Sequence, residues 1–322
     1  MLLSRGIVIN ASDCTEHFAS RLEMLHGKLN VLGIHPEGGL SAHISMEECI
    51  RYLDSHDWAA FKNRMNKAGI AVEFEMHALS WILSRDMFES HPDWFRMEED
   101  GSRSPEFNCC ASNADALDYI KERSASLAKI FHPDTDNYYF WIDDVANAAC
   151  KCERCRQLSA SDQALIIYNA IAEGLAAVNP RARESYLAYF ATLPVPTKTK
   201  KRDNVFLEFA PLARDFDVSI FDESREKNYS QVRSLPALLD FFGRDNAKVL
   251  EYWMDNSMFS GWKRPPKKFE LCGDTCREDV RRYRELGFDS ITSFGCFLGD
   301  DYSELYGDAD LSEYAEILAS EN

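Results

Sequence analysis

Short runs of apolar and β-branched residues recur along the chain, and a helical pattern follows each of them. The first run is Gly6-Ile7-Val8-Ile9-Asn10, and Phe18, Leu22 and Leu25 follow at the i, i+4, i+7 spacing of one helix face. The second is Val31-Leu32-Gly33-Ile34-His35. Its helix is predicted to open at Ser45, with Glu48 in capping-box position, and to continue through Phe61 and Met65 towards Gly69. The third run covers residues 71–77. From 78 to 113 the pattern then lapses, with Pro92 and Pro105 inside the lapse; that stretch is too long for an ordinary connection and reads as a functional loop. Leu117, Ile120, Leu127 and Phe131 mark the next helix face. The fourth run, Tyr138-Tyr139-Phe140-Trp141-Ile142, stops at Asp143-Asp144, and its helix carries Ile167, Ile171, Leu175 and Val178 before Pro180 closes it. Further runs cover 185–190, 205–209, 249–254 and 290–294. Helices are expected near 235–242, from Thr275 with Glu278 in capping-box spacing, and near 311–318.

Eight strand–helix units in 322 residues predict a parallel sheet closed into a (β/α)8 TIM barrel, one domain over 1–322 with long βα loops. An open doubly wound sheet is the structural competitor. It needs a glycine-rich phosphate loop after its first strand, and the glycine-rich spot Gly38-Gly39 lacks that fingerprint.

Composition narrows the function classes. A net charge of −17 repels nucleic-acid backbones, so DNA and RNA are not expected as ligands. No apolar stretch approaches the length of a bilayer span, so no membrane partner is expected. The opening MLLSRGIVINASDC lacks the apolar core and cleavage site of a signal peptide, which leads to an expected cytoplasmic location.

A barrel of this kind places its chemistry at the C-terminal ends of the strands. Those ends carry His35 and Glu37, His77, Asp143 and Asp144, Tyr189, Glu208, and Asp255 with Asn256. Trp81, Trp94, Trp141, Tyr252, Trp253 and Trp262 share them. Any one carboxylate there is more often a helix cap, and Trp141 or Trp253 can equally be core. The convergence of so many ends on acids, imidazoles and rings points to a carbohydrate or glycan. Sugar rings stack on aromatic faces, and their hydroxyls donate to carboxylates. His35, Glu37, His77, Trp81, Trp141, Tyr189, Tyr252, Trp253 and Asn256 are the expected substrate contacts, and Asp143, Asp144, Glu208 and Asp255 the expected catalytic groups.

Adjacent carboxylates raise each other's proton affinity, which suits an acid beside a permanent anion. Successive strand residues face opposite sides, so Asp143 and Asp144 serve one site only if the backbone turns there. In a conventional glycosidase, Asp144 is the acid and Glu208 or Asp255 its partner. A carboxyl separation of ~5 Å would mean retention and ~6.5–9.5 Å inversion. A silent sugar-binding barrel is the alternative from another class. No cofactor is required for this chemistry, and metal-dependent hydrolysis with His35, His77 and the acids as ligands is the least favoured alternative.

Cys150, Cys152 and Cys155 put three thiols within six residues. They can reach one tetrahedral structural zinc, with a fourth ligand such as Cys109 or Cys110; free buried cysteines bracing the loop are the alternative.

Several segments together resemble a bacterial family catalogued as domain of unknown function 4838. They are His91-Pro92-Asp93-Trp94-Phe95, Cys109 or Cys110 before Ser112-Asn113, and Cys150-x-Cys152-x-x-Cys155-Arg156. Gly33-x-His35-Pro36-x-Gly38-Gly39 and Tyr252-Trp253-Met254-Asp255 look similar to it too. The resemblance spans most of the chain and implies a relative of barrel glycosidases. Phe140-Trp141-Ile142-Asp143-Asp144-Val145 also resembles the fourth-strand motif of the family 84 β-N-acetylglucosaminidases. That likeness implies a hexosaminide substrate, with Asp143 polarising the 2-acetamido group and Asp144 as acid/base.

Overall fold

The eight apolar runs pair as parallel strands in sequence order. They are β1 (Ser4–Asn10), β2 (Val31–His35), β3 (Ala71–Met76), β4 (Asn137–Phe140), β5 (Arg183–Ala188), β6 (Val205–Phe209), β7 (Lys248–Glu251) and β8 (Ser290–Phe294). β8 hydrogen-bonds back to β1, which closes the (β/α)8 barrel. The computed structural model describes residues 2–36 and 46–320. No helix among them is long and apolar enough to cross a membrane.

Several boundaries differ from the pattern. β4 stops at Phe140, two residues before its apolar run does, because Ile142 N donates to the Tyr168 hydroxyl (3.3 Å) instead of a neighbouring strand. β7 stops at Glu251, where a turn closes with Asp255 N donating to Tyr252 O. The chain turns sharply after β5, with Phe190 in the left-handed region at φ 45°. The helix expected from Ser45 is two helices, Met46–Leu53 and His56–Lys67. Ser55 breaks them and caps the second by accepting from Trp58 N, while Ser45 itself lies outside the described residues. No capping box forms at Thr275, since that helix already begins at Gly273. The stretch 78–113 holds three short turns of helix, Leu79–Ile82, Arg85–Phe88 and Pro92–Trp94, and one antiparallel bridge between Met97 and Arg103. Ala160–Val178 has the one capping box that forms at a long helix among the described residues, between Ser159 and Asp162, and it packs along Ala114–Ile130.

The barrel interior is charged. Lys248 Nζ lies 2.7 Å from Glu75 Oε1 and 3.2 Å from Glu208 Oε1, all three side chains being essentially inaccessible. The ammonium also sits 3.8 Å from the centre of the Tyr139 ring. Gly33 makes room for this cluster: a Cβ there would stand 2.5 Å from Glu75 Oε1. Burial opposes the charge on Lys248, but Glu75, Glu208 and Glu73 outweigh it and hold the amine above its usual range. A second buried set joins Arg214 to Glu251 (2.8 Å) and Asp279 (2.7 Å), outside the barrel wall.

Burial raises several carboxyls above their ordinary range, among them Asp13 to about 7, Glu251 to about 7 and Asp255 to about 6, with Glu73, Glu75 and Glu184 raised as well. Between the ordinary carboxyl range and about pH 7 the folded chain therefore binds more protons than the unfolded chain, and stability falls as pH rises through that window. Half-buried surface carboxylates held low by arginines, such as Glu23 beside Arg64, act at lower pH. The expected result is a melting temperature higher at pH 5 than at pH 8; scanning calorimetry showing the reverse slope would contradict this balance.

Candidate active site

A cleft of about 890 Å3, counting its open mouth, lies at the C-terminal ends of the strands. Its floor is aromatic. Trp141 lies just past β4, with its indole Nε1 donating down to Glu208 Oε2 at 2.7 Å and Ser185 Oγ at 3.2 Å. His77 meets the Trp141 ring edge-on at 5.1 Å, and Phe294 from β8 stacks with Tyr252 at 5.4 Å. His35 Nδ1 donates to Glu75 O (2.7 Å) and His77 Nδ1 to Ile142 O (2.6 Å). Each bond to a carbonyl fixes which ring nitrogen carries the proton and how the ring is aimed. Trp262 is 55% exposed at the rim, where its φ of 54° turns the chain over the cleft.

Two carboxylates line this cleft. Asp144 is exposed and accepts from Tyr189 Oη at 3.2 Å. Burial, then the neighbouring Asp144 charge, holds the Tyr189 phenol far above its usual range, so it remains a donor. Asp255 is buried, only 5% exposed. Its Oδ1 accepts from Ser257 N (3.1 Å), Ser257 Oγ (2.5 Å) and Met258 N (3.3 Å), capping the short helix Asn256–Phe259. Burial outweighs those bonds and raises its carboxyl to about 6.

The expected acidic pair is split. Asp143 turns away from the cleft into the wall, where its Oδ2 accepts from the Arg85 guanidinium and from Asn108 N. Asn108 Oδ1 in turn accepts from Asp143 N at 3.1 Å, so the two residues lock the loops after β3 and β4 together. Asp143 lines a small separate cavity with His77 and Cys109. The pair straddles the end of the strand run, and one member goes to each side.

Other expected contacts also lie elsewhere. Glu208 is fully buried beneath Trp141, so it supports the floor and does not reach the cleft. Trp81 stacks on Phe131 at 5.9 Å, away from the cleft lining. Trp253 points outward and donates to Asp279 Oδ2 at 3.1 Å among the surrounding helices. Asn256 is buried and donates to Lys267 O and Phe297 O, fastening loops. Trp81, Trp253 and Asn256 all follow a strand end, where a turn resets which face a residue occupies. Glu37 lies outside the described residues. His35, His77, Trp141, Asp144, Tyr189, Tyr252 and Asp255 do line the cleft. Phe294 and Phe297 line it without having been expected to, and no spacing marks them out from core aromatics. Arg85, the partner of Asp143, sits in the irregular stretch where no pattern marks it.

The family described as domain of unknown function, DUF4838, has a sequence profile that matches residues 44–235. The chain belongs to this family. Among solved structures, this DUF4838 chain is similar to a β-galactosidase from the psychrophilic Marinomonas ef1 (TM-score 0.54, 10% identity, 98% of this chain covered). The chain spans 58% of that enzyme's length, and at this identity the likeness is one of fold. It also matches a GH20 catalytic module of the pneumococcal exo-β-D-N-acetylglucosaminidase StrH (TM-score 0.47, 11% identity, 98% of this chain and 83% of that one). A third is a Bacteroides ovatus GH5 xyloglucanase in complex with a XXXG heptasaccharide (TM-score 0.48, 13% identity, 92% and 66%). No curated protein matches the chain.

Proposed function

We propose that this DUF4838 barrel is a glycoside hydrolase whose two working carboxylates are Asp144 and Asp255. The observation that carries the reading is their contrast on one cleft: an exposed Asp144 bonded to Tyr189, and a buried Asp255 raised to about 6. Glycosidases divide their labour in this way, with a carboxyl in an apolar setting as the acid and an ionised one as its counterpart. The environments favour Asp255 as the acid that protonates the leaving oxygen. Asp144 then serves as base or nucleophile, the reverse of the role its local motif implies. The aromatic floor and Trp262 suit the apolar faces of a sugar ring.

A hexosaminide substrate is the narrower reading, supported by the motif around Asp144. The acetamido-polarising role for Asp143 has no support in the geometry, because its side chain turns into the wall, where Oδ2 accepts from Arg85 and Asn108 N, and does not line the cleft. A conventional two-carboxylate reaction is therefore preferred to substrate assistance.

A panel of nitrophenyl glycosides, including the N-acetylglucosaminide, N-acetylgalactosaminide, glucuronide and galactoside, tests the reading. Hydrolysis of at least one is expected, and NMR of the first-formed anomer then assigns retention or inversion. Inertness towards the panel and towards natural oligosaccharides would sink it. Trp262 offers a subsidiary check. Its loss removes stacking of roughly 0.5–1.5 kcal/mol. Trp262→Ala should then raise KM several-fold and leave kcat nearly unchanged, as expected for binding shared by ground and transition states; a fall in kcat alone would contradict a platform role.

A further inference from the structure

Four thiols outside the cleft converge on one point. Cys110 comes from the loop after β3, and Cys150, Cys152 and Cys155 come from the loop after β4. All four residues are buried, and their sulfurs lie within 4.8 Å of one another. Cys110 Sγ stands 3.7 Å from Cys152 Sγ and 3.9 Å from Cys155 Sγ. Four thiolates at about 2.3 Å around a tetrahedral zinc are separated by about 3.8 Å. A disulfide needs sulfurs at about 2.05 Å. The observed spacings match the edge of a metal tetrahedron.

The surroundings suit thiolate ligands. Met97 N donates to Cys150 Sγ at 3.3 Å, and Arg103 Nη1 approaches the same sulfur at 3.9 Å. Gln163, on helix Ala160–Val178, holds the ligand loop through its backbone. It accepts from Cys150 N (2.8 Å) and donates to Cys150 O (3.2 Å) and Cys155 O (3.0 Å). Such outer partners orient ligands and set their basicity.

We infer that Cys110, Cys150, Cys152 and Cys155 bind one zinc ion. With four protein sulfurs the site is closed to water, so the ion is structural and takes no part in the chemistry. Binding displaces the thiol protons to solvent as four metal–sulfur bonds form. The ion ties two long loops that also meet through Arg85, Asn108 and Asp143 and through Lys151 N donating to Met97 O (2.8 Å). Because Asp144 follows Asp143 directly, the same clip holds Asp144 at the cleft. This last consequence rests on the hydrolase reading, whereas the metal site does not.

The test begins with metal analysis of the wild-type chain purified without chelator. About one zinc per chain is expected, released only by a thiol-blocking mercurial. Cobalt substituted into the wild-type chain should show the intense visible bands of tetrahedral coordination and a sulfur-to-metal charge-transfer band. Cys110→Ser and Cys155→Ser should drop zinc to below ~0.3 equivalents, while Cys109→Ser keeps it. The wild-type readings stand even where a variant fails to fold. Under ~0.3 equivalents of zinc in the wild-type chain, or thiol counting that finds a Cys110–Cys152 disulfide, would overturn the proposal. Loss of metal from Cys109→Ser but not Cys110→Ser would overturn the ligand set. If zinc is present and no glycoside is cleaved, the metal site stands and the hydrolase reading alone fails.

Discussion

Asp255→Asn is expected to lower kcat/KM by ~10²–10⁴-fold on substrates with poor leaving groups, and much less on activated aryl glycosides. The reason is the environment of its carboxyl. Burial raises it to about 6 although three hydrogen bonds favour the anion, so a usable proton is present near neutral pH. An amide at the same position keeps the cap to Ser257 and Met258 but has no proton to give. A good leaving group departs without that proton, so the penalty shrinks with leaving-group acidity. The pH profile carries the same signature. The wild-type kcat/KM should fall on the alkaline side with an apparent pKa of about 6, as the acid is lost. That limb should vanish in Asp255→Asn. Asp144→Asn should instead depress all substrates alike, because a nucleophile or base is needed whatever leaves. If Asp144→Asn shows the leaving-group dependence and Asp255→Asn does not, the roles are those implied by the motif and reversed from those argued here. Equal, small effects at both positions would leave Asp255 as a helix cap only.

The second large effect is on stability. Lys248→Met should destabilise the fold by about 3–5 kcal/mol, because removing one partner strands buried charge. Lys248 is the cation that Glu75 and Glu208 share at 2.7 and 3.2 Å, with the Tyr139 ring beneath it. Without it those carboxyls must take up protons to stay buried. The proton affinity of Glu75, already raised by burial, rises further above its unfolded value, so the deficit should widen as pH rises. Urea unfolding of wild type and variant at pH 5 and pH 8 measures both the loss and its pH dependence. Lys248→Met combined with Glu75→Gln should recover part of the loss, since fewer charges are then stranded. A cost under ~1 kcal/mol at pH 8, comparable to an exposed pair, would show that the interior charges are solvated.

The barrel is legible in the sequence because each strand is a run of β-branched and aromatic residues, and periodicity reads such runs well. β2, β6 and β8 match their predicted runs residue for residue. The segments just past the strand ends are not legible in the same way. The apolar runs through Trp141-Ile142 and Tyr252-Trp253-Met254 continue after the ladder has ended. Past that point alternation no longer says which side a residue faces. For that reason the pattern places Asp143, Trp253 and Asn256 at the cleft, yet they face the wall or the outer helices. Glu208 fails differently: it faces inward as expected, but Trp141 lies over it. The interior pair of Glu75 and Lys248 is not read from the sequence, because only the closed barrel brings β3 to β7. For the cysteines, spacing identifies three of the four and leaves Cys109 and Cys110 open. The loop after β3 settles the geometry by bringing the Cys110 sulfur to the cluster.

Whether Asp144 and Asp255 make this cleft a glycosidase is tested most directly by comparing the wild-type chain with the Asp144→Asn/Asp255→Asn double variant, purified in parallel, on the glycoside panel. The parallel preparation separates activity of this cleft from that of a contaminating glycosidase. The wild type is expected to hydrolyse at least one glycoside, and the double variant, folded by its melting curve, to do so at least ~10²-fold more slowly. Equal hydrolysis by both proteins, or none by the wild type, would contradict this.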